Sequence, residues 1–232
     1  MGIYHQAMFE RIAETKRRTI LDAAAAEFAR AGFAAANINR IAEIAEVSVG
    51  SLYKYFGSKE NCFLAVLEEG FRELETTLGE VLERTDPPLA KIESILRLIP
   101  RHSRQHQSVV RLYNELTGEG LTPAVAEFCH RFETLSARAY TQLVHEIQAA
   151  QAARAAAPAA VRGRLGSADA ADPIDPAVAA YCLDNLFMML QFGYACDYFA
   201  LRRRLYLGEP AADNDEYVVN QTLRFIRGGL GL

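Results

Sequence analysis

The sequence predicts an all-α protein, and three observations carry that prediction. Apolar residues recur at three- and four-residue steps in about nine segments, no segment alternates with the period of a strand, and glycine or proline stands at most places where the apolar period stops. Half of the 232 residues are hydrophobic and 23% are charged, a balance that supports a substantial core and excludes a disordered chain. No internal repeat is present.

The elements follow in order. Residues 1–14 lack a strong period and are expected to be a frayed arm. The first helix is expected from about Glu14 to Ala31, with Ile20, Leu21, Ala24 and Phe28 on one face and Gly32 as its stop signal. A short second helix carries Ile38, Ile41 and Ala42 behind the N-cap residue Asn37, and a third carries Leu52 and Phe56 behind Ser48. Ser58 begins a fourth helix, striped by Phe63, Leu67, Phe71, Leu74, Leu78 and Leu82 and ended by Asp86, Pro87 and Pro88. Leu89–Ile99 forms a fifth, which Pro100 must end or kink. Arg104–Thr117 forms a sixth, closed by Gly118 and Gly120. Thr122 and Pro123 start a seventh that continues to about Ala153, and residues 155–175 read as a long connection. Asp175 and Pro176 restart the chain as an eighth helix, apolar almost all round to about Tyr206 and therefore expected to be buried on two sides. Asp213 with Glu216 is a capping-box pattern for a ninth, which Gly228 and Gly229 stop.

The stretch from Gly32 to Lys59 organises the rest. Its two short helices meet at Ala45, Glu46, Val47 and Ser48, which leave room only for a tight turn, and Leu52 and Phe56 turn the opposite face of the third helix outward. That outward face is short and polar and bears one cation, the geometry of a helix that enters a major groove. Val49 suits a thymine methyl, Ser51 and Lys54 suit base edges or phosphate, and Gly50 lets backbone approach DNA closely. Tyr53, Tyr55 and Arg40 suit phosphate oxygens, and Asn37 and Ser48 complete the expected DNA-binding set at the two helix starts. Lys59 near a helix start does not complement the dipole, so a phosphate contact is assigned to it as well.

The pattern G-F-x3-N-I-x2-I-A-x2-A-x-V-S-x-G-S-L-Y-x-Y-F-x-S-K-E resembles the N-terminal DNA-binding domain of the tetracycline-repressor (TetR) family of bacterial transcription regulators, over roughly residues 15–65. Two positions depart from it. Ala36 stands where the family often has Thr, and Glu46 occupies the turn position usually held by Gly, where a left-handed conformation costs about 1 kcal/mol. The resemblance implies a DNA-binding domain at residues 1–60 and an effector-binding and dimerisation domain at 61–232, hence a repressor released from a palindromic, double-stranded operator by a small effector.

Charge and composition bound this reading. The net charge is −4 overall, yet residues 1–60 hold 8 Lys and Arg against 7 Asp and Glu, so DNA contact must be local and well aimed. The opening residues are polar and charged, and the longest apolar run, Tyr181–Leu201, is broken by Asp184, Asn185, Gln191 and Asp197, so no membrane partner and a cytoplasmic location are expected. Cysteines 62, 129, 182 and 196 lack metal-ligand spacing and read as buried thiols, while His102 and His106 read as surface histidines; no metal and no cofactor are expected. No nucleophile, base and orienting group occur in a catalytic spacing, so the chain is not expected to be an enzyme.

For the effector, Tyr113, Phe132 and Met188 are candidates to line a largely apolar cavity, with Asn114, Asn185 and Gln191 to orient the ligand. For a homodimer, Leu186 and Leu190 on the eighth helix and Leu223 and Ile226 on the ninth are candidates for a four-helix seam. Two alternatives stay open: a helical dimeric interaction protein that has lost DNA binding, and an enzyme built on the helical domain.

Overall fold

Eleven helices and no strand make up the residues that the structure, a computed structural model, describes: 2–116, 122–155 and 175–230. They are α1 (Gly2–Ala35), α2 (Ile38–Ile44), α3 (Val49–Phe56), α4 (Lys59–Glu83), α5 (Pro88–Gln105), α6 (Gln107–Glu115), α7 (Pro123–Ala155), α8 (Pro176–Ala195), α9 (Asp197–Leu207), α10 (Glu209–Ala212) and α11 (Asp215–Gly229). The chain divides into two compact units, residues 1–72 with 106–128 and residues 73–105 with 129–232.

The first unit is built on α1. Ile20, Leu21, Ala24 and Phe28 bury the face that their spacing predicts, together with Ile41 and Ala42 of α2, Leu52 and Phe56 of α3, and Phe63 and Leu67 of α4. Phe28 meets Phe63 edge to face at 4.9 Å between ring centroids, an arrangement that adds about 1 kcal/mol to the burial itself. Gly70 of α4 lies so close to α6 that a methyl group there would sit 2.6 Å from the Val109 side chain, so the crossing requires glycine.

In the second unit α5 contributes Ile92, Ile95, Leu96 and Ile99, α7 contributes Tyr140, Leu143 and Ile147, α8 contributes Leu183 and Phe187, and α11 contributes Val218, Val219 and Ile226. A buried ammonium is tolerated here because it is paired: Lys91, 2% exposed, donates to both carboxylate oxygens of Glu146 at 2.9 and 2.8 Å. The outer faces of α5 and α11 are joined by Arg97 with Glu216 and by a bidentate Arg104–Asp215 pair at 2.6 Å.

Several expectations are corrected. The first helix starts at Gly2 rather than near Glu14; its opening turns expose Met8, Phe9 and Ile12, so no buried stripe marks them. Gly32 does break the helical dihedrals, at φ +71°, but a last turn continues to Ala35. Pro100 does not end the fifth helix, which runs through it to Gln105, and the sixth starts only at Gln107. The eighth helix is two: Cys196 is extended at φ −105° and ψ 131°, separating α8 from α9. Burial on two sides fails there, since α8 exposes Val178, Tyr181, Cys182 and Met189 and α9 buries none of its residues. The cap of α11 is Asn214, which accepts from the Tyr217 N–H at 3.0 Å, while Asp213 and Glu216 face arginines. His102 is fully buried, not a surface histidine; Cys182 is exposed, whereas Cys62 and Cys129 are buried, with desolvation pushing the Cys62 thiol up to about 12. No group of three or more metal-ligating side chains occurs among the described residues. The connection at 156–174 and the glycines at 118 and 120 lie outside the described residues.

Candidate nucleic-acid interface

The helix-turn-helix is fixed by local chemistry at each end of each helix. Asn37 is extended at φ −106°, and its side chain accepts from the Asn39 N–H at 2.8 Å, opening α2. At the turn the Glu46 N–H donates to Glu43 O at 3.1 Å and the Val47 N–H to Ala42 O at 2.9 Å. Glu46 takes φ +54°, the left-handed conformation that glycine adopts without cost. Ser48 then caps α3 by accepting from the Ser51 N–H at 3.1 Å, and its hydroxyl lies 2.9 Å from that of Ser51. Gly57, at φ +75°, closes α3 through its N–H to Tyr53 O at 2.8 Å.

These caps decide which side chains face outward. Leu52 and Phe56 are buried beneath α3, while Ser48, Gly50, Tyr53 and Lys54 are exposed and Val49, Ser51 and Tyr55 half-buried, the division that the spacing predicts. Asn37 and Arg40 are exposed on α2. Lys59 is half-buried and has a partner within the protein: its ammonium donates to Ala34 O at 3.0 Å and lies 5.1 Å from the Phe33 ring centroid. It thereby ties α4 to the segment that leads into α2.

A residue that sequence reasoning missed holds the other side of that segment. The Glu27 carboxylate is 1% exposed and accepts from Arg30 Nε and Nη2, both at 2.8 Å, and from the Asn37 backbone N–H at 3.1 Å, with Arg40 Nε 3.3 Å away. The Arg30 hydrogen bonds, supported by those of Asn37 and the charge of Arg40, outweigh desolvation and hold the carboxyl down at about 2. The signal was legible: Glu27 stands beside Phe28 on the face of α1 that also carries Ile20 and Ala24, and a charge there needs a partner.

Residues 20–66, which span α2, α3, the second half of α1 and the first turns of α4, match the bacterial regulatory proteins of the tetR family. These residues form a domain of that family. It is 36% identical over 127 residues to the HTH-type transcriptional repressor SCO4008 of Streptomyces coelicolor, covering 54% of this chain and 60% of that protein. It is 33% identical over 103 residues to the HTH-type transcriptional regulator RutR of Escherichia coli K12, covering 44% of this chain and 48% of RutR. The chain thus spans about half the length of the curated relatives it matches. Across nearly the whole fold it is similar to the structure of AibR in complex with isovaleryl coenzyme A and operator DNA, at a TM-score of 0.62 and 16% identity over 91% of this chain and 97% of that one. At such identity the likeness establishes the fold alone.

The other candidate residues divide between the two units. Tyr113 belongs to the first unit, where it packs 5.1 Å from Phe71; Asn114 is half-buried on the same helix. Phe132 and Gln191 are buried in the second unit, Met188 is half-buried, and Asn185 is exposed with its amide donating to Tyr181 O at 2.8 Å. Gln191 makes no side-chain hydrogen bond among the described residues, and neither does the buried Ser136, one turn along α7 from Phe132. An open groove of about 480 Å³ between α5 and α11, lined by Leu89, Glu93, Leu223, Arg224 and Arg227, includes none of the six ligand candidates. Of the four dimer candidates, Leu186, Leu190 and Leu223 are half-buried. Ile226 is 3% exposed and belongs to the core of the second unit, which corrects its assignment to a surface seam; the exposed apolar residue beside it is Phe225.

Proposed function

We propose that this chain is a ligand-responsive transcriptional regulator, a homodimeric repressor that leaves a palindromic operator when a small, largely apolar effector binds. The observation that carries the reading is the outward face of α3, capped at both ends, with Tyr53 and Lys54 exposed above a buried Leu52 and Phe56. Docked in a major groove, Val49, Gly50, Ser51 and Lys54 would meet base edges, while Asn37, Arg40, Ser48, Tyr53, Tyr55 and Lys59 would meet the backbone. Residues 1–60 are assigned to DNA, and 61–232 to the effector and to pairing.

The effector reading is supported by structures of similar fold that hold acyl-coenzyme A. We assign the chain no enzymatic activity and a cytoplasmic location; no described helix is long and apolar enough to cross a membrane. Pairing is assigned to the exposed apolar side chains Tyr181 and Met189 of α8 and Tyr217 and Phe225 of α11.

Footprinting of the chain on its neighbouring promoter, with and without a panel of acyl-coenzyme A esters, tests the reading. One ester is expected to weaken operator binding, and saturating operator is expected to weaken that ester's binding by the same factor. Equal ester affinity with and without operator would remove induction, and salt-independent binding to any duplex would remove sequence-directed DNA recognition.

A further inference from the structure

We propose that Arg30 and Arg40, pinned by the buried carboxylate of Glu27, form a two-guanidinium cradle for one phosphate of the DNA backbone, with Arg30 a phosphate contact and Glu27 the positioning residue for both. The inference rests on the DNA-binding reading above and adds to it a residue outside the recognition helix and its caps.

Two guanidinium groups share one carboxylate, so the trio carries a net positive charge, and neither arginine has a second acidic partner among the described residues. Both arginine side chains are 56% exposed while the carboxylate side chain between them is at 0%, so the positive groups face solvent and the negative one does not.

Geometry adds direction. Arg30 spends Nε and Nη2 on Glu27, and Arg40 directs only Nε at it. Nη1 of Arg30 and both terminal nitrogens of Arg40 make no hydrogen bond to Glu27. Planar forks held by their inner edge and offering the outer one match a phosphodiester, which presents two anionic oxygens. Glu27 also accepts the Asn37 N–H, so the carboxylate cannot swing out to follow either arginine, and both forks stay at the start of α2. That helix is the first of the helix-turn-helix pair, the one that crosses the DNA backbone when the second lies in the groove.

The experiment is a salt titration of the full-length protein on operator and on a scrambled duplex, for wild type, Arg30→Ala, Arg40→Ala and Glu27→Gln, with folding checked by circular dichroism. Arg30→Ala is expected to weaken binding to both duplexes alike, by about 3- to 10-fold near physiological salt, and to lower the salt slope by about one per subunit. Glu27→Gln removes a negative charge and keeps an acceptor for Asn37, so a purely electrostatic role would tighten binding; the positioning role predicts that operator binding weakens at least 3-fold in a folded protein. Wild-type affinity and slope in Arg30→Ala, or tighter binding in Glu27→Gln, would overturn the cradle. A wild type with no salt-dependent DNA binding would instead overturn the DNA-binding reading itself.

Discussion

The pair α2–α3 and the pair α8–α9 are both two helices in sequence, yet one is fixed by its ends and the other by its surroundings. In α2–α3 every boundary has a local cause: the Asn37 side chain, the positive φ of Glu46, the Ser48 hydroxyl and Gly57. In α8–α9 the start has one, Asp175 accepting from the Ala177 and Val178 N–H groups, but the break at Cys196 has neither glycine, proline nor a side-chain cap. Short helices must carry their own punctuation because they have few residues with which to bury it. Long apolar helices take theirs from packing, and packing is not written in the local sequence.

The sharpest test of this contrast is a neighbouring pair on α11. Ile226→Glu would bury an unpaired carboxylate in the second unit and is expected to prevent folding, whereas Phe225→Glu, at a side chain 73% exposed, is expected to leave a folded monomer. Analytical ultracentrifugation and circular dichroism on both variants check this, and a folded Ile226→Glu would place that residue on the surface after all.

Next in size is the buried ammonium of the second unit. Glu146→Ala strands Lys91 without its carboxylate and is expected to cost about 3–5 kcal/mol in urea unfolding, while Lys91→Met with Glu146→Leu is expected to stay within about 1 kcal/mol of wild type. A mild effect of the single change would mean that Lys91 finds water.

In the first unit the equivalent charge is Glu27, whose guanidinium partners are solvated, so Glu27→Ala is expected to cost only about 2 kcal/mol. Its pH dependence has a definite sign. The carboxyl is held at about 2 against an ordinary 4.5, so its contribution is complete above 4.5 and is lost as pH falls toward 2. The stability difference between wild type and Glu27→Gln should therefore be flat near neutrality and shrink only below 4.5. A difference that already shrinks between pH 7 and 5 would assign it to another group.

These cases also mark what was legible. The outward face of α3 could be read residue by residue, because Leu52 and Phe56 fix which way a short helix turns. The trio of Glu27, Arg30 and Arg40 could have been read from a charge on an apolar face with Arg30 one turn along the same helix, but the Asn37 N–H and Arg40 come from beyond the break at Gly32. Ile226 and Asn185 were misplaced for one reason: α8 and α11 are apolar on more than one side, and periodicity alone does not say which side the protein covers itself. Lys59 is the subtler case. Its position against the helix dipole pointed to an external anion, and the structure supplies a carbonyl and a ring from the same domain.

The smallest expected effect belongs to the turn. Glu46→Gly should relieve the left-handed strain and stabilise the protein by about 1 kcal/mol in the same urea measurement, unless the carboxylate has a role in the folded turn.

That residue has a consequence for how such a regulator changes over generations. Any glutamate codon becomes a glycine codon through a single base change, so release from the strain is one mutational step away. The step would also delete a negative charge from an exposed position in the turn that leads into the recognition helix. On the DNA-binding reading proposed above, selection could thus tighten the grip on the operator, or by reversion loosen it, without touching any side chain assigned to a base. On that reading Glu46 would be a dial for the strength of control that is separate from the choice of target.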